Sequence, residues 1–197
     1  MYLLNNRKNG RYNNRQSIKQ SVMMPIQHVP VSLNNLPKED AIQKPRVKEM
    51  LWGEPTWLLF HTLAEKIKED EFPKLRKELL DNIMKICNNL PCPTCAQHAT
   101  QYMNSVNFSN IQSKEQLKLF LFAFHNEVNR RKDYEKFNIN DLSKYNNAVT
   151  VNVVRNFFYH FSKRSYNVRM AVDNMHRQKM LKDLQPWLEK TAYSFYE

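Results

Sequence analysis

Leu90-Pro91-Cys92-Pro93-Thr94-Cys95 holds two of the chain's only three cysteines. Two thiols with two residues between them can close a small disulfide when they open a helix. Pro93 fits that placement, because proline is favoured in a first helical turn and cannot sit deeper. Residues 96–103 can carry the helix onward. A thiol at a helix N-terminus meets unpaired N–H groups and the positive end of the dipole, and both favour the reactive thiolate.

Three readings of the pair compete. A structural zinc site needs four ligands, and here there is one pair, with His98 as a candidate third ligand and a distant histidine as a fourth. Two cysteines packed by chance is the bland reading. A redox dithiol leads, since CxxC is the recurring redox spacing. Cys87, just upstream, reads as buried packing.

At 197 residues the chain can bury one respectable core, and 42% hydrophobic content with 12% aromatic content argues that it does. There are only two glycines, Gly10 and Gly53, so neither GxGxxG nor a P-loop can be written. Scarce glycine also suits a helical protein better than a turn-rich β sandwich. The net charge of +11 is uneven: residues 1–50 carry +6, 51–149 carry +1 and 150–197 carry +4. Basic flanks around a nearly neutral middle imply loose attraction to acidic partners rather than a dedicated nucleic-acid face, so nucleic acid is not the expected partner. Nothing approaches the apolar length of a membrane span, and the N-terminus turns polar after Met1-Tyr2-Leu3-Leu4, so no signal-peptide core is expected. A cytoplasmic location follows as the expectation.

Residues 1–49 read as a basic arm and linker, expected to be disordered; 1–35 lack any Asp or Glu, and Pro25, Pro30, Pro37 and Pro45 oppose helix. The folded unit spans 50–139. Gly53 breaks the chain and Pro55 suits a helix start, after which Trp57, His61 and Ala64 share a face and the helix ends near Asp70. A second helix runs from about Lys74 to Asn89, with Leu75, Leu79, Ile83 and Ile86 as its stripe. The CxxC opens the third. Ser113 and Gln116 form a capping box that starts the fourth, to about Lys132, with Leu117, Leu121, Phe124 and Val128 inward. Four helices with short connections read as an all-α four-helix bundle. Residues 140–197 read as a mostly helical extension of unknown role. Within it, 141–148 suits a short helix, 149–161 strand or helix, and 169–190 a helix broken or restarted at Pro186.

Trp57, His61, the CxxC and His125-Asn126-Glu127-Val128-Asn129 fall on different helices. Each alone reads most simply as core or interface. Together they suggest a planar aromatic cofactor clamped between helices beside a dithiol.

In this combination the sequence resembles the Erv/ALR family of FAD-linked sulfhydryl oxidases. The resemblance covers roughly Trp52 to Phe137. Its elements are Trp-Gly-x-x-x-Trp-x-x-x-His (Trp52, Gly53, Trp57, His61), Pro-Cys-x-x-Cys (Pro91, Cys92, Cys95) and His-Asn-x-Val-Asn (His125, Asn126, Val128, Asn129), in family order. The flavour of Leu90–Ala99 and Phe122–Asn126 is similar to the branch from large cytoplasmic DNA viruses.

The resemblance implies a helical bundle holding FAD. Trp57, His61, His125, Asn126 and Asn129 would line the flavin and its adenosine part, Val128 would pack there, and Gly53 would allow close approach. Family members often carry a lysine after the asparagine, to meet cofactor phosphates; the matching position here is Tyr134, which leaves Lys132, with Lys136 nearby, as the candidate cation. The resemblance further implies that Cys92–Cys95 is a redox-active disulfide. A dithiol protein, thioredoxin-like or carrying another CxxC, would attack Cys92. Cys95 would sit nearer the flavin, and O2 would take the electrons, giving H2O2. No cysteine follows Cys95, so the downstream disulfide and shuttle CxxC of many cellular members are missing and the electrons must come from another chain. A homodimer, and disulfide formation in virion assembly in a host cytoplasm, are the further expectations from this resemblance, and no metal is implied. The rival class is a non-enzymatic basic helical module for nucleic acid or protein, with a structural CxxC.

Overall fold

A computed structural model describes residues 50–163 and 170–197. The expectation for the arm of residues 1–49 lies outside the described residues. Six α-helices follow in order: α1 Gly53–Lys66, α2 Phe72–Asn88, α3 Pro93–Ser105, α4 Lys114–Arg131, α5 Thr150–Phe161 and α6 Ala171–Thr191. Short 3-10 turns cover Phe108–Asn110, Ile139–Asn147 and Ala192–Ser194. Among the described residues there is no strand, only an isolated antiparallel bridge between Ile67 and Phe195. The all-α class holds.

Helix α1 is the central element. Leu59, Phe60, Leu63 and Ala64 are almost completely buried, because α4, α5 and the 139–147 turn all pack on it. Helix α2 packs against α3 and α6. The boundary signals acted locally. Ser113 Oγ accepts from Gln116 N while Gln116 Oε1 accepts from Ser113 N, completing the capping box. Pro93 occupies the first turn of α3, with Cys92 as N-cap.

Three features differ from the sequence reading. Helix α1 stops at Lys66 rather than near Asp70, because Ile67 turns extended and pairs with Phe195. Tyr196 N donates to Lys66 O at 2.7 Å and Lys68 N to Ser194 O at 2.9 Å, so a contact from the far end of the chain ends the helix. The ambiguous run 149–161 is helix: Val153, Phe157 and Phe161, four residues apart, form one buried stripe against α1. Helix α6 runs through Pro186 instead of breaking there. The proline deprives the Lys182 carbonyl of its partner, but both residues face solvent, where water can replace the bond, while Leu184 and Leu188 keep the helix packed. Part of the C-terminal extension is therefore a wall of the core.

Candidate functional site

Helix α3 sets the sulfur pair. Cys92 and Cys95 are joined as a disulfide with their Cα atoms 5.2 Å apart. Cys92 Sγ accepts from Cys95 N at 3.3 Å, and Thr94 Oγ1 donates to the same sulfur at 3.2 Å. Both bonds favour negative charge on Cys92 once the pair is reduced. Both cysteines are half-buried.

From Cys95 one face of α3 runs through His98, Ala99 and Tyr102 into a cavity of about 260 Å³. Gly53 and Trp57 of α1 and Phe124, Val128 and Lys132 at α4 complete its main walls. A β-carbon on Gly53 would meet nothing nearer than Met50 Cβ at 4.0 Å, so the open space beside the glycine belongs to the cavity. Trp57 meets Phe124 edge-on at 5.1 Å. The walls are mainly apolar and aromatic, with cations at the α4 end.

Those cations differ in their partners. Arg131 donates to Glu127 at 2.8 Å. Lys132 contacts Met50 Sδ at 3.4 Å and lies near the Trp52 and Tyr134 rings, but it has no acidic partner among the described residues. Burial lowers its pKa from the usual lysine value.

Behind Trp57 stands an aromatic stack. Trp57 lies on His125 at 4.1 Å with the planes 10° apart, and His125 lies on Phe137 at 4.6 Å. His61 Nε2 and His125 Nδ1 are 3.1 Å apart and share a hydrogen bond. Tyr145 covers His61 at 4.8 Å. Burial, then His125, then Lys144 lower His61 to about 3; burial, then Lys144, lower His125 to about 4. Both imidazoles are neutral near pH 7.

The two asparagines hold the segment after α4. Asn126 accepts from Phe137 N at 2.8 Å and donates to Phe137 O at 3.2 Å. Asn129 donates to Glu135 O at 3.0 Å. The turn between Asn129 and Glu135 passes through Asp133 at φ 55°. Asn126, Tyr134 and Lys136 border a second cavity, which shares Tyr102 and Glu127 with the first.

The structure thus brings Gly53, Trp57, Val128, Lys132 and Cys95 to one cavity, and His61 and His125 to the layer behind Trp57. Cys92 does not line the cavity and is the outer sulfur. Sequence reasoning missed Tyr102, Phe124 and Arg131 as cavity residues. Tyr102 was available from helical spacing, since positions 95, 98, 99 and 102 share one face. Cys87 also lines the cavity, at 1% exposure, and burial pushes its thiol pKa up, so it stays protonated. Among the described residues no group of three or more His, Cys, Asp or Glu could hold a metal ion.

The family model of the Erv1/Alr family matches residues 54–149, which contain both sulfurs and every wall of the cavity except Trp52 and Gly53. The match takes in just under half of the chain, and over it the sequence is similar to the Erv1/Alr family. A protein of Invertebrate iridescent virus 3 is 34% identical over 82 residues, 41% of this chain and 55% of that one. The FAD-linked sulfhydryl oxidase of African swine fever virus is 28% identical over 108 residues, 55% of this chain and 87% of its own length. The FAD-linked sulfhydryl oxidase ERV1 of Oryza sativa subsp. japonica is 29% identical over 93 residues, 47% of each chain. The chain therefore spans about half the length of the iridescent-virus and rice relatives and most of the swine fever virus one. No solved structure matches it. Helices α5 and α6 lie beyond the Erv1/Alr match.

Proposed function

We propose that this chain is an FAD-dependent sulfhydryl oxidase that makes disulfides in a dithiol protein. The observation that carries the reading is that Cys95 opens onto the same aromatic cavity as Gly53, Trp57, Val128 and Lys132, while Cys92 stays outside it. The names of the matched viral and plant relatives support the cofactor and the activity.

The cavity fits a flavin. Its walls suit a planar ring, the space beside Gly53 is open, and a half-buried lysine without an acidic partner suits a phosphate. Gly53, Trp57 and Val128 would hold the ring, and Lys132 the phosphates. His61 and His125 would fix Trp57 from behind and border the adenosine side. Asn126 and Asn129 would set the loop there, beside the second cavity, which gives a two-ended ligand room.

The chemistry begins at the outer sulfur. A substrate thiolate attacks Cys92, forming a mixed disulfide and releasing Cys95 as thiolate. The substrate's second thiol then attacks its own sulfur in that mixed disulfide and frees Cys92. The substrate has lost two electrons and the pair has gained them. The Cys95 N–H and the α3 N-terminus steady the negative charge that develops on Cys92. When bound, FAD would take the electron pair from the reduced cysteines and pass it to O2, giving H2O2.

The functional division is 50–139 as the oxidase domain and 140–197 as an extension that buttresses it. A homodimer, and disulfide formation during virion assembly in a host cytoplasm, complete the reading, the latter supported by the viral relatives. No described helix is long and apolar enough to cross a membrane. The test is the absorption spectrum of the purified chain with a peroxide assay in dithiothreitol. A flavin band, with peroxide from wild type and none from Cys95→Ser, establishes the oxidase. A colourless chain that takes up no FAD would favour the non-enzymatic basic module.

A further inference from the structure

The first turn of α3 is short of backbone donors for the sulfur that caps it. Cys92 is the N-cap, and Pro93 after it has no N–H. Ala96 N is spent on Cys92 O at 2.9 Å. Cys95 N reaches Cys92 Sγ at 3.3 Å. The second contact to that sulfur comes from a side chain, Thr94 Oγ1 at 3.2 Å. A disulfide sulfur carries no proton, so the hydroxyl is the donor.

A helical threonine ordinarily turns its hydroxyl back to the carbonyl one turn before it. Thr56, Thr100 and Thr191 do so, on Trp52 O at 2.7 Å, Ala96 O at 2.8 Å and Trp187 O at 2.7 Å. The Thr94 hydroxyl faces instead the sulfur two residues before it. Thr94 also borders the aromatic cavity, as Cys95 does. A disulfide sulfur is a weak acceptor and a thiolate a strong one. The hydroxyl therefore binds more strongly once the pair is reduced, and it does so at Cys92. Among the described residues, Cys95 Sγ receives no such hydrogen bond.

We infer that the Thr94 hydroxyl sets the oxidising power of the Cys92–Cys95 pair, by holding the charge of the reduced pair on the outer sulfur. The inference deepens the oxidase reading: it names a positioning residue for the thiol exchange. The substrate arrives with one thiolate and one thiol. It leaves as a disulfide, having given up two electrons and one proton. The pair receives both electrons. The proton goes to Cys95, and the charge stays on Cys92 under the Thr94 hydroxyl and the Cys95 N–H. Stabilising that product pulls the exchange toward substrate oxidation. Other charged or titratable groups lie near the pair. His98, Glu127, Arg131 and Lys132 line the cavity with Cys95, and Asp173 and His176 of α6 border a groove with Pro93. A change confined to the Thr94 side chain leaves all of them in place.

The experiment uses the full chain and two variants. Thr94→Val keeps the shape and removes the hydroxyl, while Thr94→Ser keeps the hydroxyl and removes the methyl. Each protein is equilibrated without air in mixtures of reduced and oxidised glutathione, and the disulfide fraction is read by alkylation and mass. Thr94→Val should favour the disulfide by about tenfold, a potential lower by about 30 mV for a two-electron couple. Thr94→Ser should keep the wild-type potential. Alkylation of reduced Cys92 by iodoacetamide should need a higher pH in Thr94→Val and the wild-type pH in Thr94→Ser. A Thr94→Val potential equal to wild type would overturn the inference. So would a Thr94→Ser potential shifted as far as that of Thr94→Val, because the methyl group or the helix start would then be the cause. The thiols are read directly, so a lowered Thr94→Val potential in a chain that takes up no FAD would keep the role of Thr94 and remove the oxidase reading.

Discussion

His61 Nε2 and His125 Nδ1 share a hydrogen bond of 3.1 Å beneath Trp57, joining α1 to α4 through two neutral imidazoles. One ring must donate and the other accept, so the bond exists only while at most one of the facing nitrogens carries a proton. The layer that backs the cavity wall is therefore set by protonation as well as packing.

A pH dependence of stability follows. Both histidines have folded pKa values below the ordinary 6.5, at about 3 and about 4. The unfolded chain binds protons first as pH falls, so this stability is fully present above 6.5 and is lost from there down toward 3. The loss approaches about 1.4 kcal/mol per pH unit for each histidine within that window. Urea unfolding between pH 7.5 and pH 4.5 checks it: the wild-type midpoint should fall, and His61→Phe should fall less steeply. Equal slopes would show that other groups set the acid sensitivity.

Lys132 tests how the cofactor is held. Lys132→Met should weaken FAD binding by about tenfold or more, the scale of one charge-assisted hydrogen bond. Riboflavin, which has no phosphate, should bind both proteins alike. Titration by flavin fluorescence measures both, and Tyr134→Lys should change FAD affinity less, because Tyr134 borders the second cavity.

The two sulfurs should separate in their trapped states. Cys95→Ser should accumulate a mixed disulfide between Cys92 and a substrate thiol, visible by mass under oxidising conditions. Cys92→Ser should lose oxidation of protein substrates, because the remaining sulfur opens onto the aromatic cavity rather than outward. The reverse pattern would exchange the two roles.

The extension should be needed for folding. Phe157 is fully buried in the α5 face against α1, and Phe157→Ala should cost about 3–5 kcal/mol in chemical denaturation. A loss under 1 kcal/mol would mean that α5 packs only loosely on the domain.

The sequence was legible where its signals are local. Ser113 with Gln116, and Pro93 beside Cys92, need only their neighbours to fix a helix start, and both sit as expected. The stripe Leu117, Leu121 and Phe124 faces inward because a helical period allows little else. Pro186 was misread because proline's cost depends on whether water can reach the carbonyl it strands, and a linear pattern does not show that. The end of α1 was misread because its cause, Phe195, lies 128 residues away.

Sequence alone determined the all-α class, the two sulfurs at a helix start, and the set of residues worth bringing together, since each follows from spacing within a turn or two. Tertiary structure decided how that set is divided. Gly53, Trp57, Val128 and Lys132 reach the cavity with Cys95, His61 and His125 back its wall, and Asn126 and Asn129 tie down a loop. It also decided that α5 belongs to the core and that α6 lines a groove beside Cys92. The physical reason is that a helix period fixes which residues share a face, while the helix that meets that face is chosen by burial across the whole chain.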